Sequence, residues 1–379
     1  MKVGIYVQPA RYKELTGVGR HIRKLIEHLP LASERSDQFL LYYPSVGRED
    51  LGFTVPDNRF QPRPVRVPSN WEGSRPNLWW NWRLPISVLA DRLDVFHGPS
   101  HYLPRSLHKR TVTTIHDLAY FQMSVHSPGH DELQRRLTLT SLKRAGKVIA
   151  LSENTKRDVL ALDFPDDRVD VIYGGGDIAG EDTIQENRWT EVADRYDIDA
   201  PYILFVGSIN QRKNVPHLIQ AFARLIKDRN HPHLLVVVGG DGGGLQEARQ
   251  VASECGCADR VRFTGFIDDW ERPLIFRHAD IFGFPSKYEG FTLVTIEAMA
   301  YGIPVVAIDS SSVTEGVGNA ARLVKTDESE DFASEMNLVL GSRELANEMV
   351  REGKKQAQKF SWESNARATM SLYQSLAGH

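Results

Sequence analysis

Short apolar runs rich in β-branched residues recur along the chain, and each is followed by a stretch with helical spacing. This alternation is typical of parallel α/β layers, in which helices connect and cover buried strands. In the first half, strands are predicted at 2–7, 39–43, 94–97, 111–115, 147–151 and 169–172. In the second half they are predicted at 202–206, 234–238, 261–264, 280–284 and 304–308.

Polar residues at the starts of the helical stretches predict where the helices begin. Ser152 is expected to cap one helix and Ser361 the last one, because a side-chain oxygen at the N-cap accepts an orphan amide. Asn214 is expected to cap a helix that tolerates Pro216 in its first turn.

The length of 379 residues exceeds what one compact core usually holds, so two domains are expected. The polar, glycine-rich stretch 174–200 suits a linker, which gives Rossmann-like domains at 1–180 and 181–360. A final helix at 361–379 is expected to pack back on the first domain. Two doubly wound parallel sheets facing a central cleft would bind ligands at the carboxyl ends of their strands.

Charge and cysteine content narrow the class of protein. A net charge of −3 gives no reason to expect nucleic acid as a partner. Cys255 and Cys257 are the only cysteines, so no disulfide framework is available, and a cytoplasmic location fits best. No apolar run approaches the length that spans a bilayer, so peripheral contact with the inner membrane face is the alternative to a purely soluble state.

The most informative segment follows the predicted strand 280–284. A loop holding Glu289 is followed by a predicted helix that contains Glu297 and ends at Gly302. The first amides of that helix suit a phosphate, and the two carboxylates suit sugar and ribose hydroxyls. Solvated helix-end charges remain the alternative for either glutamate. The amides in question are those of Phe291, Thr292 and Leu293.

A second segment follows the strand 202–206, where Gly207 opens a loop that carries Arg212 and Lys213. Adjacent cations beside a helix N-terminus are unfavourable unless an anion binds there. A diphosphate leaving group is the natural anion, with Arg212 bonding two oxygens and Lys213 acting as a point charge. The alternative is a solvated basic loop.

Together these segments resemble the family-4 glycosyltransferases of the GT-B fold, which carry two glutamates separated by seven residues. Glu289 and Glu297 match that spacing, and the match in style is nearest to bacterial mannosyltransferases. The resemblance extends over nearly the whole chain. It includes the segments 113–118, 152–156, 261–265 and 360–362.

The resemblance implies a role for each matching residue. Glu289 would bind the donor sugar and Glu297 the ribose, while Arg212 and Lys213 would bind the diphosphate. His116 would lie beside the transferred sugar, unless it is a strand-end histidine that bonds only to its neighbours. Two glycines in the loop before the first helix would let the backbone approach the sugar phosphate, unless they are simple turn residues. These are Gly17 and Gly19.

The same resemblance implies a retaining enzyme that transfers a hexose from a nucleotide sugar. Arg212 and Lys213 are expected to replace a divalent metal on the diphosphate, so no metal or other cofactor is predicted. GDP-mannose is the preferred donor and a UDP-sugar such as UDP-glucose the alternative, with a saccharide or a lipid-linked oligosaccharide as acceptor. Asp197 and Asp199 imitate a metal-binding Asp-x-Asp, but they lie in the linker, so no metal site is predicted. Ser208 replaces a basic residue common in the family, which leaves anion binding to Arg212 and Lys213.

Tryptophan and arginine are concentrated in the segment 71–83. Such a mixture suits a membrane interface, but the helical spacing of Trp79, Trp82 and Ile86 favours packing on the first domain. His97 ends another strand and is a candidate acceptor-side residue.

Two other functions are the alternatives to a glycosyltransferase. A nicotinamide dehydrogenase should have Gly-x-Gly-x-x-Gly at a strand–helix turn, and neither 17–19 nor 239–244 satisfies that pattern. A non-catalytic nucleotide-sugar-binding module would share the same motifs and differ only in lacking turnover.

Overall fold

Two parallel sheets organise the chain, one in each of two units, as the computed structural model describes it for residues 1–12, 15–47, 51–67, 79–107, 110–125, 128–176, 184–228 and 231–378. The first unit comprises Met1–Gly175 and Ser361–His379, and the second comprises Gly176–Phe360. The boundary predicted between residues 180 and 181 lies outside the described residues.

The first unit contains a seven-stranded sheet in the order β3-β2-β1-β4-β5-β6-β7, with every neighbouring pair parallel. Its strands are β1 Lys2–Tyr6, β2 Gln38–Ser45, β3 Phe60–Arg66, β4 Val95–Gly98, β5 Thr111–Ile115, β6 Lys147–Ala150 and β7 Val169–Val171. Its helices are α1 Gly17–Ala32, α2 Leu84–Ala90, α3 Ala119–Gln122, α4 Pro128–Leu142, α5 Glu153–Leu160 and the C-terminal helix Trp362–Ala377.

The second unit contains a six-stranded parallel sheet in the order β10-β9-β8-β11-β12-β13. Its strands are β8 Tyr202–Val206, β9 Leu234–Val238, β10 Val261–Gly265, β11 Ile281–Phe284, β12 Val305–Ile308 and β13 Arg322–Val324. Its helices are α6 Trp189–Arg195, α7 Val215–Asp228, α8 Leu245–Glu254, α9 Arg272–Arg277, α10 Leu293–Ala300, α11 Val313–Val317, α12 Ser329–Gly341 and α13 Arg343–Ala357, so the C-terminal helix is α14.

The central strands are buried on both faces, which is why they appear in the sequence as continuous apolar runs. Every residue of β8 and of β9 is buried.

The strand β3 was not predicted, because Pro62 and Pro64 interrupt its pattern. It is an edge strand, so the amides of alternate residues face away from the sheet and form no hydrogen bond to a neighbouring strand. Proline has no amide hydrogen, so it is tolerated at such positions. The short strand β13 was also missed.

The C-terminal helix α14 belongs to the first unit and packs along α1. Asn365 donates its side-chain amide to the carbonyl of Tyr173 at 2.7 Å. The Tyr373 hydroxyl lies 2.6 Å from Nδ1 of His97 on β4. Ser361 caps the helix, as predicted, by accepting the amide of Ser364.

The tryptophan-rich segment only partly follows its predicted packing, and its residues 71–78 lie outside the described range. Trp79 is buried, but Trp82 and Ile86 are exposed. Trp79–Arg83 form a π-helical turn, which rotates less per residue than an α-helix and therefore separates Trp79 from Trp82 around the axis. None of the helices in the described part of the chain is long and apolar enough to cross a membrane.

Candidate active site

The loop between β8 and α7 begins at Gly207 and carries Arg212 and Lys213. The side-chain oxygen of Asn210 accepts a hydrogen bond from the Lys213 amide at 3.0 Å. Asn210 thereby caps a short 3-10 turn, Gln211–Lys213. Asn214, which was predicted to cap the following helix, instead adopts left-handed backbone angles with φ 53° between the turn and α7. The side-chain cap in this loop therefore belongs to the short turn and not to α7.

Both cations of this loop bind the carboxylate of Glu289. Arg212 donates Nη1 to Oε2 at 2.9 Å, and Lys213 donates Nζ to Oε1 at 2.6 Å. The same Arg212 nitrogen donates to the carbonyl of Tyr288 at 2.7 Å, and the Ser286 hydroxyl also donates to Oε1. The side chains of Arg212, Lys213 and Glu289 are only 16%, 12% and 7% exposed, which contradicts the alternatives of a solvated basic loop and a solvated Glu289.

The charges of the network keep Glu289 ionised. Burial raises the pKa of the Glu289 carboxyl, yet the neighbouring Arg212 and Lys213 outweigh it and hold that pKa below its usual value. A buried ion pair of this kind is costly to break from one side, typically by about 3–5 kcal/mol, because the remaining charge stays buried. The carboxylate is therefore fixed in position and weakly basic.

Three consecutive serines after β12 hold the loop that presents Glu289. The Ser310 hydroxyl donates to the carbonyl of Ser286 at 2.6 Å, and the Ser312 hydroxyl donates to the carbonyl of Glu289 at 2.8 Å. The Ser311 hydroxyl accepts the Glu289 amide at 2.7 Å. Ser311 has a φ of 44°, an uncommon value for a residue with a side chain, so its conformation is held by these contacts.

The helix α10 begins at Leu293, directly after the Glu289 loop. Thr292 occupies the N-cap position, but its side chain makes no capping bond and lies 2.8 Å from the hydroxyl of Thr295. Phe291 is largely buried and packs against Phe360. Any contact of Phe291 or Thr292 with an anion would therefore use backbone amides, and this role stays a prediction.

Glu297 lies on the second turn of α10 and is 4% exposed, which contradicts a solvated helix charge. Its Oε2 accepts a hydrogen bond from Nη2 of Arg272, the first residue of α9. The two glutamates are thus held by different cations. Arg272 was not singled out from the sequence, although its place after β10, at the carboxyl edge of the sheet, could have indicated it.

In the first unit, His116 follows β5 and is held as a neutral ring. Its Nε2 lies 2.9 Å from the carbonyl of Pro99, which can only accept, so Nε2 carries the proton and Nδ1 the lone pair. Burial lowers the pKa of His116, and the Pro99 carbonyl and Asp117 oppose this only in part. The His116 amide donates to Nε2 of His101 at 2.9 Å.

His97 is a core residue, which corrects its assignment to the acceptor side. The ring is fully buried, with Nδ1 bonded to the Tyr373 hydroxyl and Nε2 2.8 Å from the Thr114 hydroxyl. Burial lowers the pKa of His97 to about 3. Both nitrogens bond within the first unit, so the ring cannot bind a substrate.

Gly17 and Gly19 lie in the first turn of α1, and not in the loop before it as predicted. A side chain at Gly19 would bring its Cβ within 2.4 Å of the Pro9 carbonyl oxygen, so this glycine permits close packing inside the unit. A Cβ at Gly17 would meet nothing within 4 Å. The packing explains Gly19, whereas the proposed contact of either glycine with a sugar phosphate stays a prediction.

The comparisons with known proteins fit this geometry. The family model described as Glycosyltransferase Family 4 matches residues 15–179, and the model described as Glycosyl transferases group 1 matches residues 191–356. The chain is a family-4 glycosyltransferase. The O-antigen chain mannosyltransferase B of Escherichia coli is 26% identical to this transferase over 389 residues, which cover 99% of this chain and 100% of the relative.

Solved structures show that the transferase has the GT-B fold. Sucrose-phosphate synthase from Thermosynechococcus elongatus superposes with a TM-score of 0.77 and 20% identity over 100% of this chain and 99% of its own. Anabaena HepE in complex with UDP and glucose superposes with a TM-score of 0.74 and 19% identity over 99% of this chain and 100% of its own.

The linker aspartates have no metal-binding partners among the residues that the structure describes. Asp197 has a φ of 52° in the connection between α6 and β8, and Asp199 follows it. No group of three or more histidine, cysteine, aspartate or glutamate residues in the described ranges could hold a metal ion.

Proposed function

We propose that this transferase moves mannose from GDP-mannose to a saccharide or a lipid-linked oligosaccharide. The full-length similarity to an O-antigen mannosyltransferase supports the sugar and the type of acceptor. A UDP-sugar donor is the alternative, and it is supported by the resemblance in fold to HepE, whose structure contains UDP and glucose. A thermal-shift panel of nucleotide sugars separates the two, because a bound donor raises the unfolding temperature by mass action.

The observation that carries the proposal is the pairing of Arg212 and Lys213 on the single carboxylate of Glu289. Two cations and one carboxylate leave one net positive charge at the carboxyl ends of β8 and β11. A departing nucleotide diphosphate gains negative charge, and cations fixed before the reaction stabilise that charge without reorganisation. Glu297, which accepts a hydrogen bond from Arg272 through one carboxylate oxygen, would bind the ribose hydroxyls.

We expect retention of configuration at the transferred sugar. Glu289 accepts hydrogen bonds from two cations and a serine, and its pKa is lowered, so it is a poor nucleophile for a covalent intermediate. This favours attack by the acceptor from the face that the diphosphate leaves. In this mechanism Glu289 orients the donor sugar. Nδ1 of His116 would accept a hydrogen bond from a hydroxyl of the transferred sugar.

The transferase should need no divalent metal, because Arg212 and Lys213 take its place on the diphosphate. Losing one such fixed donor typically costs about 3–4 kcal/mol in the transition state, so Arg212→Ala and Lys213→Ala should each reduce turnover a hundredfold or more. Arg224→Ala, which removes an exposed pair with Glu330, serves as the control. Activity that EDTA abolishes and manganese restores would overturn this proposal and return Asp197 and Asp199 to consideration.

A nucleotide-sugar-binding module without turnover is the second candidate, because it would need the same binding residues. Slow hydrolysis of the donor without any acceptor separates the two, since only a working transferase breaks the bond to the diphosphate. Release of GDP from GDP-mannose by the wild type, reduced by Arg212→Ala, would exclude the module.

Contact with a membrane surface would suit a lipid-linked acceptor, and the described residues of the first unit include a surface that fits it. Trp82, Ile86 and Leu89 follow one another along α2 and the turn before it, and they are 66%, 62% and 68% exposed. Arg83, beside Trp82, donates to the carbonyl of Arg66 at 2.8 Å, which brings two exposed basic residues together. Apolar residues beside basic ones are typical of surfaces that bind anionic lipid.

A further inference from the structure

The loop that follows β4 bonds to both the side chain and the main chain of His116. The carbonyl of Pro99 accepts a hydrogen bond from Nε2 of the His116 ring at 2.9 Å, and Nε2 of His101 accepts one from the His116 amide at 2.9 Å. One short segment therefore holds the ring and the backbone of His116 at the same time. The orientation of the ring relative to the end of β5 is set by this loop.

The hydrogen bonds of His101 determine which of its nitrogens carries the proton. A backbone amide can only donate, so Nε2 of His101 has the lone pair and Nδ1 has the hydrogen. Nδ1 lies 3.2 Å from the hydroxyl of Tyr120 on α3, and that hydroxyl lies 2.6 Å from the hydroxyl of Thr138 on α4. Tyr120 and Thr138 are buried, and burial lowers the pKa of His101 to about 3, so the ring stays neutral. A chain of hydrogen bonds thus runs from α4 to the His116 amide.

The backbone of His101 is held in an unfavourable conformation. Its φ is 69°, in the left-handed region that residues with a side chain seldom occupy. The His101 amide donates to the carbonyl of Thr114 on β5 at 3.0 Å, which anchors the loop to the strand that ends beside His116. Such strain persists only where the surrounding contacts hold it, and it is concentrated at functional sites. The strained backbone and the bonded ring together indicate that His101 has a role at the candidate site.

Two other histidine rings pack against the His116 ring. His101 stacks on it with a centroid distance of 5.5 Å and an interplanar angle of 14°, and His21 meets it edge-on at 5.0 Å and 85°. Both distances are within the range of aromatic contacts. Among the residues that the structure describes, none forms a hydrogen bond with Nδ1 of His116. Several contacts thus hold the ring, while its lone pair stays available to a ligand.

We propose that His101 is a positioning residue, which holds His116 so that Nδ1 accepts a hydrogen bond from a hydroxyl of the transferred sugar. The inference rests on the proposed function, because that function gives His116 its contact with the sugar. Displacing a positioned group by about 1 Å can reduce a reaction rate by about a hundredfold. Loss of the His101 contact should therefore reduce turnover, while the affinity for the free nucleoside diphosphate is unchanged.

Two substitutions at His101 separate the hydrogen bond from the backbone conformation. Asparagine tolerates a positive φ better than glutamine, but its side-chain oxygen reaches only the position of the imidazole Nδ1. The longer glutamine places its oxygen at the position of Nε2, where it can accept the His116 amide. His101→Asn should reduce donor hydrolysis without acceptor roughly ten- to a hundredfold, and His101→Gln should recover most of it. A purely structural role predicts the reverse order, because asparagine suits the strained backbone better.

Calorimetry and thermal unfolding accompany these kinetics. The donor is the nucleotide sugar that stabilises the wild type in the thermal-shift panel, GDP-mannose or UDP-glucose. Both variants should bind the corresponding nucleoside diphosphate as the wild type does, and His101→Asn should lose affinity for the nucleotide sugar alone. His28→Asn is the matched control, because His28 lies on α1 of the same unit with its ring bonded to the Lys24 carbonyl. It should behave as the wild type in every assay.

Nuclear magnetic resonance tests the hydrogen-bond chain in the unaltered protein. In protein with isotope-labelled histidine, correlations between ring nitrogens and ring protons distinguish the two neutral forms of each imidazole. His101, identified by the loss of its signals in either variant, should carry its proton on Nδ1 near neutral pH. A proton on Nε2 would overturn the proposal, because that nitrogen could not then accept the His116 amide.

The remaining outcomes separate this inference from the proposed function. Wild-type turnover in His101→Asn, with reduced turnover in His116→Gln, would overturn the role of His101 and leave the proposed function intact. Equal losses of turnover in His101→Asn and His101→Gln would also overturn that role. Wild-type turnover in His116→Gln would instead contradict the contact between His116 and the sugar. A wild-type protein that binds neither GDP nor UDP would contradict the proposed function itself.

Discussion

Glu289 and Glu297 are separated by only seven residues, yet each is held by a different set of cations. This arrangement predicts different roles. Glu289→Gln should reduce turnover a hundredfold or more while GDP still binds, because Arg212 and Lys213 remain. Glu297→Gln should weaken both donor and free GDP by roughly ten- to a hundredfold, the value of a charge-assisted hydrogen bond.

Steady-state kinetics and calorimetry on the two variants measure this division of labour. Thermal unfolding shows whether either variant fails simply because it is unstable. If both variants bound free GDP equally poorly, the assignment of sugar to Glu289 and ribose to Glu297 would be wrong.

Ser311 allows a second test at the scale of one residue, because its backbone strain affects stability alone, whereas its hydrogen bond also positions Glu289. Ser311→Gly relieves the positive φ but removes the acceptor of the Glu289 amide, so the two effects on stability, each about 1–3 kcal/mol, oppose one another. Stability should change little, whereas turnover should fall about fivefold, since an amide contact of this kind contributes on the order of 1 kcal/mol to holding Glu289.

Asp163→Gly is the matched control, because Asp163 also has a positive φ, 58°, but lies in the first unit. It should leave turnover unchanged. Turnover of Ser311→Gly equal to that of the wild type would show that the serine segment does not position Glu289.

At the scale of an element, α2 and the π-helical turn before it expose a stripe that a core helix would bury. Exchanging Trp82 and Ile86 for glutamine should reduce co-sedimentation with anionic vesicles at least tenfold, because each buried apolar side chain contributes about 1.5–3 kcal/mol. Added salt should weaken the binding of the wild type, since the arginine contribution is electrostatic.

Leu31→Gln provides the comparison, because Leu31 is 60% exposed on α1 of the same unit. It should sediment with vesicles as the wild type does. Equal sedimentation of the double variant and the wild type, or no binding at low salt, would leave the stripe as an acceptor platform or an ordinary surface.

At the scale of the whole molecule, acid should destabilise the fold through its buried histidines, most of which lie in the first unit, with His217 in the second. Burial lowers the pKa of His97 and of His101 to about 3, and it lowers the pKa of His21 and His116 as well, all in the first unit. Between pH 6.5 and 3 the unfolded chain therefore binds protons that the folded unit does not. The free energy of unfolding should fall below pH 6.5, by up to about 1.4 kcal/mol per pH unit for each such histidine.

Urea unfolding at pH 7.5, 6.5 and 5.5 measures this slope. His97→Gln should flatten it, because glutamine does not titrate. The Glu289 network of the second unit also loses stability in acid, but at lower pH: its contribution is present above the unfolded value near 4.3 and is lost as the pH falls through the folded pKa. A stability that does not change between pH 7.5 and 5.5 would contradict the prediction.

The amino-acid sequence by itself determined the parallel α/β organisation of both units and the motif residues of the candidate site. Continuous apolar runs such as β8 and β9 predict buried strands without knowledge of their neighbours. The spacing of Glu289 and Glu297 and the adjacent pair Arg212 and Lys213 are equally local, so the family resemblance could be recognised from them.

The tertiary structure alone decided which residues hold those motifs in place. Arg272 meets Glu297, and Ser311 meets the Glu289 amide, only because strands distant in sequence end at the same edge of one sheet. The same holds for His97, whose nitrogens bond to Thr114 and Tyr373. Local patterns record propensity and burial, whereas the pairing of side chains depends on how the chain returns to itself, which the spacing of residues does not encode.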